Sequence, residues 1–167
     1  PWLHTKDEIE KLETSLEGSG VSISSVDDNP VDYIWDEQPD APMGRAFVHP
    51  DALAGATSAD KRAALAGTLR AAGQRAAVLT LPDSICWLLN IRGADVPKNP
   101  VLHGFALLHD DGRVTLFADP AKFDAAVLAH LGPEVARHEP ASFVAGLRGL
   151  TGPVRVDRGS APLAVSE

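Results

Sequence analysis

The sequence predicts an α/β fold: a mixed β-sheet flanked by helices, preceded by a short αβα piece. Three observations carry this expectation. From residue 46 onward, short apolar runs of strand character alternate with segments of helical periodicity. Two of those runs, residues 101–108 and 113–118, flank His109-Asp110-Asp111-Gly112, and an Asp-Gly step tolerates the positive φ of a tight hairpin turn. Residues 38–42 are polar with two prolines, poor for helix and ladder alike, and separate this region from an upstream piece of different pattern.

The elements follow in order. Thr5-Lys6-Asp7-Glu8 has capping-box form, with Ile9, Leu12 and Leu16 at helical spacing and Gly18 and Gly20 ending the pattern. Residues 21–26 partly alternate and predict a short strand. Pro30 sits at a helix start, with Val31, Ile34 and Trp35 on one face. Residues 46–48 predict a strand before Pro50. Thr57-Ser58 caps a helix running to about residue 72, with Leu65 and Leu69 inward and Gly73 as its stop. Residues 76–80 predict a strand. Residues 82–89 predict a short helix with Pro82 in its first turn and Ile85, Leu88 and Leu89 as its apolar face. After the hairpin, Asp119-Pro120 starts a helix carrying Phe123, Val127, Leu128 and Leu131, broken by Gly132-Pro133. A strand at 134–138, a helix at 140–150 and a strand at 154–156 complete the pattern. From residue 46 the order is β-α-β-α-β-β-α-β-α-β around one antiparallel hairpin, which argues a mixed sheet. The organisation expected is residues 1–45 as the end of one domain plus linker, and 46–167 as a second.

Bulk properties exclude some functions. The 167 residues have 44% apolar and 23% charged content, ordinary for a globular chain. No apolar run reaches the length of a membrane span, so no membrane partner is expected. The net charge of −8, with Lys and Arg scattered, repels duplex nucleic acid on average. Cys86 is the only cysteine, so no internal disulfide forms, as suits a reducing compartment. A start at Pro1 without an initiator Met reads as an excised fragment.

Residues that could carry chemistry are few. The histidines, His4, His49, His103, His109, His130 and His138, form neither H-x-x-x-H nor H-E-x-x-H, so helix-spaced zinc ligation is unsupported. Asp110-Asp111 offers two carboxylates, but a hairpin tip makes them a solvated turn. Cys86, mid-helix among apolar neighbours, reads as a small packing residue. No nucleophile elbow, P-loop or dinucleotide fingerprint occurs. Trp87 has two readings: a core residue beneath its helix, which is the commoner case, or an exposed anchor at a domain or subunit interface. Arg92 either ties down carbonyls of its own loop, again the commoner case, or projects into a neighbouring cleft to pair with a substrate carboxylate. Gly93 permits positive φ or close packing at this turn. Pro97 and Pro100 stiffen the loop around Lys98-Asn99.

The run D-S-x-x-W-L-L-N-x-R-G-x-D-V, matched from Asp83 to Val96 within DSICWLLNIRGADVPKNPVLHGFALLHDDGRVTLFAD, resembles the middle domain of the three-domain Xaa-Pro aminopeptidases, or aminopeptidase P. Asn29-Pro30-Val31-Asp32 with Ile34-Trp35 and Pro39 is similar to the closing helix of that family's first domain. Ala54-Gly55 followed by Lys61 is similar to the start of its second domain, and Val154-Arg155-Val156-Asp157 to that domain's last strand. Cys86 departs from the pattern, where Ala is commoner. The resemblance implies a creatinase-like N-terminal domain with a ribonuclease H-like motif. It implies a parent enzyme that removes an N-terminal residue preceding proline. Such an enzyme uses two divalent metal ions, commonly manganese, held in a C-terminal pita-bread catalytic domain. By that resemblance the ligands lie beyond Glu167, so no catalytic residue, metal ligand or cofactor falls on this chain. The partners implied are the chain's own catalytic domain, a proline-containing peptide and a second copy in a homodimer, in the cytoplasm. In related two-domain members a Trp at the position of Trp87 reaches a neighbouring subunit's active site, which makes Trp87 and Arg92 the candidate substrate-entrance or interface residues. Two alternatives remain: a non-enzymatic protein-binding module like the creatinase-like domain of a histone chaperone, and the N-terminal domain of a creatinase-type amidinohydrolase.

Overall fold

The structure, a computed structural model, describes residues 2–26 and 28–166. These form two compact units. One runs from the N-terminus to Ala41 and takes in the residues from Asp157 onward; the other is Pro42–Val156.

In the first unit, α1 (Lys6–Leu16) begins with the predicted capping box. Thr5 Oγ1 accepts from the Glu8 amide at 3.2 Å, and Glu8 Oε2 accepts from the Thr5 amide at 2.9 Å. No residue of α1 is buried. Arg158 Nε donates to Asp7 at 2.9 Å, its guanidinium also contacts Glu10, and the Leu163 amide donates to the His4 carbonyl at 2.7 Å. The second helix, α2 (Pro30–Ile34), starts where predicted, with Asn29 as its cap and Pro30 at N1. The strand expected at 21–26 does not form. Alternation selects a face, but a strand exists only by pairing, and among the described residues none pairs with this segment. The upstream piece is thus αα rather than αβα. With no buried residue in α1 and no ladder at 21–26, amide exchange is expected to be fastest here and slowest at 105–117. Equal protection in a hydrogen-exchange experiment would contradict this.

The second unit contains, in chain order, β1 (Ala46–Val48), α3 (Asp51–Ala54), α4 (Ser58–Ala71), β2 (Ala76–Leu79), α5 (Pro82–Leu89), β3 (Ile91–Gly93), β4 (Phe105–His109), β5 (Val114–Phe117), α6 (Ala125–Leu131), β6 (Val135–His138), α7 (Phe143–Arg148) and β7 (Val154–Arg155). The five-stranded sheet has the order β6-β5-β4-β2-β7. Its central pairs, β5–β4 and β4–β2, are antiparallel and its outer pairs, β6–β5 and β2–β7, parallel, so the sheet is mixed as predicted. A separate two-stranded ladder pairs β1 with β3, Phe47 facing Arg92.

One continuous core joins Leu69 of α4, Ile85, Leu88 and Leu89 of α5, and the inward residues of β4, β5, α6 and β6. On Phe117 and Phe105 a second cluster forms: Phe105 stacks on Phe143 at 4.2 Å between centroids, and Phe117 meets Phe143 edge-on at 5.4 Å.

Several expectations need correcting. The strand β3 was not anticipated, and residues 101–104 are not part of β4. The helix predicted from Asp119-Pro120 is two pieces. Asp119 caps only a 3₁₀ turn at Pro120–Lys122, Phe123 is extended, and Asp124 caps α6 anew by accepting from the Val127 amide at 2.9 Å. The helix predicted at 140–150 is likewise a 3₁₀ turn followed by the six residues of α7. Leu65 is exposed rather than inward, because α4 rests on the core through Ala66, Leu69 and the stem of Lys61.

Candidate functional site

The site is organised by the last turn of α5. Pro82 occupies N1, and Ile85, Cys86, Leu88 and Leu89 are all buried. Trp87 is 50% exposed, so the core reading is wrong. Successive helical residues turn by about 100°, which places Trp87 roughly 200° from Ile85 and opposite the buried stripe. That offset was the available signal in the sequence.

The helix stops at Asn90, which is fully buried with φ 49° and ψ 45°. A short polar side chain makes this left-handed conformation accessible to a residue with a Cβ. Its amide Nδ2 donates to Asp51 Oδ1 at 2.7 Å and to the Ala56 carbonyl at 2.8 Å. Its Oδ1 accepts from Lys61 Nζ at 2.6 Å. Lys61 is only 7% exposed; its ammonium also donates to the Trp87 carbonyl at 2.9 Å and lies 4.5 Å from the Trp87 ring centroid. Burial, and then the Arg92 charge, hold the Lys61 ammonium below the usual lysine range, with Asp51 opposing them.

Three side chains from three elements therefore take the last carbonyls of α5. Arg92 Nη1 donates to the Cys86 carbonyl at 3.3 Å, Lys61 takes that of Trp87, and His130 Nε2 of α6 lies 2.9 Å from that of Leu89. Side-chain donors at a helix C-terminus satisfy its orphan carbonyls, and the positive charges of Lys61 and Arg92 also complement its dipole. Arg92 also donates to the Ile91 carbonyl at 2.8 Å. It lies on β3 rather than in a free loop, and its bonds are those of a residue tying down its own backbone. The structure thus brings Trp87 and Arg92 to one helical turn. Lys61 and Asn90 were the residues that sequence reasoning missed as members of this site. An open groove of about 500 Å³ runs beside Trp87, lined by Leu65, Leu79, Asp83, Ser84 and Leu88.

The rest of the motif is packing. Gly93 is not at positive φ; a Cβ there would lie 2.6 Å from the Val101 carbonyl oxygen and 2.7 Å from Leu102 Cα, so close approach is what demands glycine. Asp95 forms a buried ion pair with Lys122, Nζ to Oδ2 2.8 Å, and accepts from the amides of Gly44 at 2.9 Å and His103 at 2.7 Å. Burial pushes the Asp95 carboxyl upward, but Lys122 and the two amides outweigh it and hold it below the usual range.

The remaining candidates are placed as follows. Asp110 pairs with Arg75 at 3.0 Å and Asp111 with Arg113 at 2.7 Å at the hairpin tip. Cys86 is buried and accepts from the Leu102 amide at 3.3 Å, and burial pushes its thiol up, the opposite of an activated nucleophile. Among the described residues no group of three or more His, Cys, Asp or Glu side chains is gathered in a way that could hold a metal ion. No helix among them is long and apolar enough to cross a membrane.

Comparison with known proteins sets this geometry in a family. Residues 37–167 match the family described as creatinase/prolidase N-terminal domain. The "Probable Xaa-Pro aminopeptidase P" of Coccidioides posadasii is 36% identical over 152 residues, 90% of this chain and 23% of that protein. That of Neosartorya fischeri is 35% identical over 136 residues, 81% of this chain and 21% of the relative. The crystal structure of an X-prolyl aminopeptidase from Caenorhabditis elegans, described as a cytosolic enzyme with a di-nuclear active site, superposes with a TM-score of 0.78 at 30% identity. It covers 87% of this chain and 24% of its own. The chain thus spans about a quarter of the length of the relatives it matches. With the mixed sheet and flanking helices common to that enzyme's matching portion, the chain belongs to the creatinase/prolidase N-terminal domain family.

Proposed function

We propose that this chain is the non-catalytic N-terminal and middle-domain portion of a metal-dependent Xaa-Pro aminopeptidase, a cytoplasmic enzyme that removes an N-terminal residue preceding proline. The observation that carries the reading is the likeness to Xaa-Pro aminopeptidases over nine-tenths of the chain, 36% over 152 residues. In this reading the two metal ions, manganese by preference, and the residues that hold them belong to the catalytic domain of the same longer protein. Metal ions bound in such a domain would supply Lewis-acid activation of water near neutral pH. The contribution of this chain is a surface. Trp87, exposed at the clamped end of α5 beside an open groove, shapes the active-site entrance and its contact with a second copy of the enzyme.

Two measurements test this. The purified chain, given manganese and an Xaa-Pro peptide, is expected to release no amino acid; metal-dependent cleavage by it would overturn the assignment. In the longer protein, Trp87→Ala is expected to raise KM about tenfold with kcat little changed, the scale of losing one aromatic anchor. An unchanged KM removes Trp87 from the entrance.

A further inference from the structure

We propose that Lys61 is a positioning residue that fixes the outward rotamer of Trp87, so that the ring is pre-set rather than free to swing. The inference deepens the reading of Trp87 as an entrance residue and rests on it for its consequence in catalysis; the positioning itself stands on geometry alone.

A lysine carries three N–H donors and no acceptor. Two of them are taken by oxygens, the Trp87 carbonyl at 2.9 Å and Asn90 Oδ1 at 2.6 Å. The third has the face of the Trp87 indole, whose centroid is 4.5 Å from Nζ. Lys61 therefore holds one residue at both ends, main chain and ring. Among the described residues it forms no ion pair, although it is 7% exposed. Burying an ammonium without a paired carboxylate is costly, and a mere helix cap could be made by a donor that stays in water. The position of Nζ is itself fixed, because Asn90 is anchored on Asp51 and Ala56. Arg92 and His130 cap the same turn, but each reaches a carbonyl of another residue, Cys86 and Leu89. Lys61 alone among these three touches the ring, where attraction to the π-face favours one orientation over the others.

The experiment has a spectroscopic and a kinetic arm. In the 167-residue chain labelled with 5-fluorotryptophan, with the Trp87 resonance assigned by Trp87→Phe, nuclear Overhauser contacts are expected between the Lys61 ε-methylene and the Trp87 ring. Lys61→Gln is expected to move the Trp87 ¹⁹F resonance toward its unfolded position while those of Trp2 and Trp35 stay in place; Lys61→Arg, which keeps the cation, is expected to restore it. The wild-type contacts need no variant to fold, and their absence overturns the proposal. So does an unmoved Trp87 resonance in folded Lys61→Gln, the result expected of a purely structural cap. In the longer enzyme, Lys61→Gln is expected to raise KM about two- to fivefold, the range such a contact is worth, and to add nothing once Trp87 is alanine. If Trp87→Ala raises KM and Lys61→Gln does not, the positioning role fails. If neither raises KM but the spectra behave as expected, the entrance reading fails and the positioning stands.

Discussion

Replacing Asn90 with alanine is expected to destabilise the chain by about 2–5 kcal/mol. Two costs add. Holding a residue with a Cβ in the left-handed region costs about 1–2 kcal/mol once the side chain no longer supports it. Losing the carboxamide also takes one acceptor from the buried Lys61 ammonium, which keeps the Trp87 carbonyl, at a cost of about 1–3 kcal/mol, while the exposed Asp51 carboxylate and the half-buried Ala56 carbonyl can turn to water. Urea unfolding followed by circular dichroism measures the sum. Asn90→Gly separates the two costs, since it relieves the backbone strain but restores no hydrogen bond; it should recover about 1 kcal/mol. An Asn90→Ala loss below about 1 kcal/mol would contradict the network described.

Lys122→Met is expected to cost about 3–5 kcal/mol, for a different reason. Methionine fills much of the lysine's space, so packing changes little. What remains is the Asp95 carboxylate, buried and held only by the Gly44 and His103 amides. The pH dependence follows from the direction of its shift. In the folded wild type the Asp95 carboxyl lies below its ordinary value, so its contribution is complete above the unfolded value of about 3.9 and is lost as pH falls from there through the folded value. The deficit of Lys122→Met should therefore be greatest near neutrality and narrow in acid, where wild type forfeits the ion pair and the variant sheds a buried charge. Urea midpoints for both proteins across that range test this, and a deficit independent of pH would refute the assignment.

The sequence was most legible where local chemistry decides structure. Thr57 with Gly73 bounded α4, Pro82 started α5, the Thr5 capping box opened α1, and Asp-Gly closed the β4–β5 hairpin, each through bonds within a few residues. It was least legible where partners come from afar. Three residues, Ile91-Arg92-Gly93, become a strand only because Ala46–Val48 lies beside them, while residues 21–26 partly alternate but pair with no strand among the described residues. The candidate site shows the same division. Trp87 and Arg92 could be named from their motif, but the burial of Lys61 and Lys122 depends on segments about 30 residues away in sequence, and lysine is by default a surface residue. Asp119 misled because two aspartates five residues apart can each cap a helix, and only the second begins one that lasts.

The position of β2 in the sheet bears on how the protein is made. This strand lies between β4 and β7, so one of its edges is met by residues 105–109 and the other by Val154–Arg155. During synthesis the β4–β5 hairpin can close as soon as it leaves the ribosome, and β6 can join it once α6 has turned the chain back. Residues 76–79 must then wait with an open edge until nearly 80 further residues have been added, since pairings distant in sequence carry the greatest closure entropy. A bare apolar edge in a nascent chain is an aggregation hazard, and here its duration is set by the rate of translation. The two residues of β7 are a small share of the ladder, yet their arrival is the moment at which the sheet is sealed.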